Sequence, residues 1–341
     1  MPESSPTRPK RRGRLVRTGA ALLVLSAVAA YLVVQYVTGG GGARGCEVVS
    51  GAGDGASYEF TPEQAVNAAT IAAVGTGRGM PERAVTIALA TALQESGLRN
   101  IAHGDRDSLG LFQQRPSQGW GTERQIMDPD YAAGIFYAHL ARVPGYTGLP
   151  LTVAAQRVQR SGYPEAYAKH EPDAALLAAA LTGRTAATLT CDGRPERTAG
   201  ATGPDAVRAA LVRDFGRDAL QETGAVVGGA AVPSPSPSPS VTATARGRTV
   251  TVPVPRGAEP DATGRTGRER GWQLAHWAVA NSALLHIQRV SYAGRVWTAG
   301  GDGGWRTAGT AGAGGAERSA GTGRSAGTGG SAGTVRIVTG Q

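Results

Sequence analysis

Three pieces of one stretch decide the fold: ALATALQESG at 88–97, DSLGLFQQ at 107–114 and WGT at 120–122. The first continues a helix that starts at Pro81 and runs to about Ser96, where Gly97 can end it. Glu95 falls three, four and seven residues after Ala92, Thr91 and Ala88, so it shares their face of small side chains. Thr91 can return its hydroxyl to the backbone. Glu95 also sits in the last turn, where the helix dipole disfavours an anion. That dipole, and burial if the face packs inward, pushes a carboxylate pKa upward. A carboxyl group held partly protonated near neutral pH is what a general acid needs.

Around this stretch the apolar spacing reads as helix. Thr61-Pro62-Glu63-Gln64 combines an N-cap, a first-position proline and a capping box. Ala65, Ala68, Ala69, Ala72 and Ala73 follow at helical spacing. Another helix starts at Asp128-Pro129, and others fit 152–160, 164–170 and 173–182. The expectation is a mainly α chain in which a helical domain over 58–192 carries the chemistry.

The flanks read differently. Residues 20–37, AALLVLSAVAAYLVVQYV, carry no charge and follow a basic run. As a helix they rise about 27 Å, close to the ~30 Å hydrocarbon core. The sequence predicts a cytoplasmic tail over 1–17, a transmembrane helix over 18–38 and everything later outside the cell, anchored by one pass in the cell membrane. A signal peptide cleaved near Ala27 and Ala29, or lipidation at Cys46, would compete with that anchor. Residues 39–57 read as a glycine-rich spacer. Outside the membrane, Cys46 and Cys191 are expected to form a disulfide. Beyond the helical domain a helix is expected over 200–224 and a Pro/Ser-rich linker over 225–247. A small α+β module follows over 248–298 with 335–341, interrupted by a disordered Gly/Ala/Ser/Thr-rich segment over 299–334.

The net charge of +9 is confined to the two ends. Residues 1–17 hold six bases and one acid, and 262–341 hold nine arginines and three acids, whereas 18–261 hold 20 bases and 22 acids. No basic stripe crosses the helical region, which argues against a nucleic-acid partner. The five histidines and two cysteines show no metal-ligand spacing, so no metal and no cofactor are expected.

Gln-Glu-Ser-Gly-Leu at 94–98, followed by Ser-Leu-Gly-Leu-Phe-Gln at 108–113, resembles soluble lytic transglycosylases and other lysozyme-like proteins. The likeness covers roughly 58–185, and the wider stretch resembles membrane-anchored proteins of the actinobacterial cell envelope. The resemblance implies a lysozyme-like fold and one catalytic acid/base, Glu95, cutting the MurNAc–GlcNAc β-1,4 bond of peptidoglycan. The attacking group would be water or the sugar's own 6-hydroxyl. It implies that Ser96 orients Glu95, that Gly110 lets the glycan approach the backbone, and that Ser108, Gln113 and Gln114 face substrate. Trp120, Tyr131, Tyr137, Tyr163 and Tyr167 offer rings to sugars. The family's third motif, Ala-Tyr-Asn-like, has no counterpart in Ala154-Ala155-Gln156-Arg157-Val158-Gln159, and Tyr163 or Tyr167 would replace its tyrosine from a neighbouring turn. A two-carboxylate alternative would recruit Asp105, Asp107 or Glu123. The alternative of another class is an inactive lysozyme-like protein that binds peptidoglycan or supports envelope assembly. The run from Gly271 to Trp305, with Trp272, Trp277, Trp297 and Trp305, faintly resembles a module of secreted actinobacterial wall proteins.

Overall fold

Thr61 opens the first long helix as its sequence demands. Its hydroxyl accepts from Gln64 N and the Gln64 side chain answers to Thr61 N, so two end donors are satisfied reciprocally. In the computed structural model, which describes residues 45–160, 164–191, 202–217, 247–254, 264–301, 304–308 and 333–340, this helix is α1 (Pro62–Gly77). It packs against α2 (Glu82–Ser96), whose side chains are buried on nearly every face. Around α2 stand α4 (Pro129–Leu140), α5 (Leu151–Gln159), a 3-10 turn at Pro164–His170 and α6 (Glu171–Leu181). A short α3 (Glu123–Ile126) precedes α4 and carries its own capping box from Thr122. Both helices bury several alanines, and such small side chains let packed backbones come close.

The fold is mixed rather than mainly α, because two sheets flank the helices. The first has the order β2-β1-β3, from β1 (Cys46–Val49), β2 (Ser57–Phe60) and β3 (Leu189–Cys191). Part of the expected glycine-rich spacer is therefore strand. Cys46 lies directly opposite Cys191 in the antiparallel β1–β3 pair, and the two form the expected disulfide across 145 residues.

After α7 (Pro204–Phe215) comes the second sheet, in the order β4-β8-β5-β6-β7. Its strands are β4 (Thr249–Pro253), β5 (Ile287–Tyr292), β6 (Arg295–Thr298), β7 (Arg306–Thr307) and β8 (Thr334–Thr339). β7 and Trp305 lie within the segment expected to be disordered. Trp305 is held there by donating its Nε1 to Leu189 O at 2.9 Å.

Helix α8 (Gly267–Ala280) joins the two halves. It contacts α1, α6 and β3 on one side and β5 and β8 on the other. Inside the seam, Thr188 N donates to His276 Nε2 at 3.2 Å, which leaves Nδ1 as the donor to Ala180 O at 2.8 Å. Burial pushes the His276 pKa down to about 4, so the ring stays neutral. The region from Arg44 to Gln341 thus forms one compact unit, and not a domain followed by a tethered module. The expected anchor over 18–38 and most of the expected linker over 225–247 lie outside the described residues. No helix among the described residues is long and apolar enough to cross a membrane.

Candidate active site

The end of α2 is fixed by its own chemistry before anything else touches it. Gly97 adopts φ 62°, and the amides of Gly97 and Leu98 donate back to Leu93 O and Ala92 O. From α1, Gln64 donates its amide to Gly97 O and Asn67 to Leu98 O, each at 2.8 Å. Ser96, itself buried, donates its hydroxyl to Leu111 O at 2.8 Å and accepts from Arg99 N. The last turn bearing Glu95 is therefore clamped from α1 and from the 109–114 loop.

That loop is a tight hairpin closed by the pair Leu109–Gln114. Gly110 turns it with φ 75°, and a Cβ there would sit 2.7 Å from Ile126 O. Only glycine meets both demands. Leu111 and Phe112 are buried, and Phe112 stacks on Phe136 with ring centroids 4.7 Å apart.

Glu95 is half-buried, and Ala88, Thr91 and Ala92 on its face are fully buried. Thr91 returns its hydroxyl to Ile87 O, as its position suggested. The Tyr167 hydroxyl, from the 3-10 turn, donates to Glu95 Oε1 at 2.7 Å. Gln159, at the end of α5, donates one hydrogen bond to Phe112 O at 2.8 Å and offers its amide to Glu95. Desolvation raises the Glu95 pKa, and the bonds from Tyr167 and Gln159 work against that rise by favouring the carboxylate. His170 meets Gln94 Oε1 at 3.2 Å beside the same helix end. Two elements, the 3-10 turn and α5, thus bring donors to one half-buried carboxyl group. Chemically, the group can give a proton to a leaving oxygen and afterwards take one from a nucleophile.

The other expected residues divide. Gln113 is half-buried at the loop, with φ 46° and its amide donating to Gly110 O at 3.2 Å. Gln114 does not face a ligand: its side chain is buried and donates to Ala132 O, because the hairpin turns it into the core. Ser108 is likewise buried and donates to Asp105 O, and Gly110 is packed against Ile126 rather than open. Ser96 and Tyr167 are too buried to touch a sugar and act on the carboxylate end instead. Tyr137 is buried and donates to Ile71 O. Trp120 is half-buried, with one ring face stacked on His139 at 4.3 Å. Tyr131 donates to Trp120 O at 3.2 Å. Tyr163 lies outside the described residues.

Asp107 is no second catalytic carboxylate. Its carboxylate accepts from the Ser117 hydroxyl, from Ser117 N at 2.9 Å and from Arg115 at 2.7 Å, and these bonds hold its pKa well below the usual range. Asp105 and Glu123 are exposed. No cluster of three or more His, Cys, Asp or Glu that could hold a metal occurs among the described residues. Sequence reasoning gave Gln159 no role. Its one signal was helical spacing, four residues after the buried Ala155. No protein-family model and no curated protein matches this chain.

Proposed function

We propose that this protein cleaves peptidoglycan glycan strands at the MurNAc–GlcNAc β-1,4 bond, outside the cell and tethered by residues 18–38. Glu95 is the single acid/base, on a lysozyme-like helical scaffold. The observation that carries this reading is the Tyr167–Glu95 bond. A phenol reaches a desolvated helix-end carboxyl from a turn 72 residues away, beside a motif loop that Ser96 and Gln159 lock to it. An ordinary surface glutamate has no need of such a shell.

In the reaction, protonated Glu95 gives its proton to the glycosidic oxygen as the bond from C1 of MurNAc breaks. The resulting carboxylate then takes a proton from the group that attacks C1. If that group is water the new end is reducing, and if it is the 6-hydroxyl of the same sugar a 1,6-anhydro ring forms. Tyr167 and Gln159 stabilise the carboxylate between the two steps and fix its rotamer. With Asp107 already committed to Arg115 and Ser117, the one-carboxylate route is favoured over the two-carboxylate one.

Incubating the full chain in detergent with purified peptidoglycan tests the reading. Muropeptides should be released, and mass spectrometry would mark an anhydro end by the loss of one water. A folded protein that sediments with the wall and releases nothing would instead establish the binding alternative.

A further inference from the structure

The second sheet has one face that no helix among the described residues covers. Strand alternation puts Val250, Ile337, Val290 and Trp297 in one buried row across β4, β8, β5 and β6, on the side of α8. The opposite side holds Thr251, Arg336, Ser291, Val296 and Arg306 in register, with Thr249, Val338, Arg289 and Thr298 in the next row. None of these nine is buried, and the three arginines are exposed. Residues 247–254, 284–308 and 333–340 contain five arginines and one acid, Asp302, which lies outside the described residues. Neither Arg289 nor Arg336 is held in an ion pair by another described residue. Those two stand on neighbouring strands as a diagonal pair, about 7–8 Å apart at the backbone.

We infer that this face binds a linear polyol-phosphate polymer, with Arg289 and Arg336 on successive phosphates and the interleaved Thr249, Thr251, Ser291 and Thr298 hydroxyls on the polyol. Guanidinium groups match phosphate oxygens two at a time. The face carries no aromatic ring, so it lacks the stacking platform a single-stranded nucleic acid needs. It offers two half-buried valines and no Trp, Phe or Leu to insert into a bilayer. The chain's own segment 309–332 holds two arginines and one glutamate, so it cannot neutralise the patch.

The test uses the full chain in a neutral detergent and fluorescent poly(glycerol phosphate) as the probe. The Arg289→Ser/Arg336→Ser variant should bind at least tenfold more weakly at an unchanged urea midpoint, with a salt slope smaller by about two. Glu95→Gln should bind like the parent, which separates this inference from the fate of the proposed cleavage. Equal binding by the double variant would overturn the assignment. So would equally tight binding of a single-stranded oligonucleotide, or loss of polymer binding once phosphatidylglycerol is added to the micelles.

Discussion

At Glu95 two physical effects oppose each other. Burial favours the neutral acid, and the Tyr167 and Gln159 donors favour the anion. Since burial wins, cleavage that needs the protonated form should fall as pH rises through the raised pKa. Tyr167→Phe removes one anion-favouring bond and one positional restraint. Its rate should drop roughly 10–100-fold and its alkaline limb should move to higher pH. A pH–rate series on the two proteins checks this, and an unmoved limb would show that Tyr167 is only packing. The upward push on Glu95 was legible in the sequence, because small residues precede it at helical spacing and Gly97 follows. Gln114 turns into the core because it closes the 109–114 hairpin, and sequence order does not say to which side that closing residue points. Gln159 was passed over because its partners, Phe112 O and Glu95, lie 47 and 64 residues away.

Element boundaries followed local chemistry closely. The Thr61 capping box, the Asp128 cap and the Gly97 stop each appear where the sequence put them. Two further boxes, Thr122 with Gln125 and Thr266 with Glu269, follow the same local rule. The three-stranded sheet was not readable. β1 is four residues long beside a glycine run, and its pairing with β3 closes only through a contact 145 residues apart. The disulfide offsets that cost. On the chain-entropy model, a loop of this length contributes about 4–5 kcal/mol by restricting the unfolded chain. The Cys46→Ser/Cys191→Ser variant should therefore unfold at markedly lower urea while keeping its helical circular dichroism. An unchanged midpoint would mean that the sheet holds without the covalent link.

Across the whole molecule, α7 is pinned by a polar cluster around the buried Asp214. Arg213 bridges Asp130 of α4 at 3.1 Å and Asp214 at 2.7 Å, and Trp277 of α8 donates its Nε1 to Asp214 at 2.7 Å. Thr70 of α1 adds a longer bond at 3.4 Å. Desolvation first, then the Asp214 charge, push the Asp130 pKa up to about 7, against the pull of Arg213. A carboxyl raised in the folded state holds its proton longer there than in the unfolded chain, so its contribution to stability falls as pH rises from about 4 to 7. Asp130→Asn removes that dependence. Relative to the parent it should gain about 1–2 kcal/mol between pH 4 and 8, discounted for the charge it takes from Arg213. Urea unfolding at the two pH values reads the difference, and a constant difference would contradict the assignment. The union of the helical half with the second sheet had no signal in the Pro/Ser-rich segment between them. It depends on α8 burying both sides of itself, which hydrophobic spacing registers only as an apolar helix.

In the proposed cleavage Glu95 supplies the proton, and Glu95→Gln is the decisive variant, because the amide keeps the shape and cannot act as the acid. Muropeptide release by parent and variant should be compared side by side, with circular dichroism confirming the fold of each. The account predicts release by the parent and a loss of at least a thousandfold in the variant. Equal release by both would contradict it and place the catalytic group elsewhere.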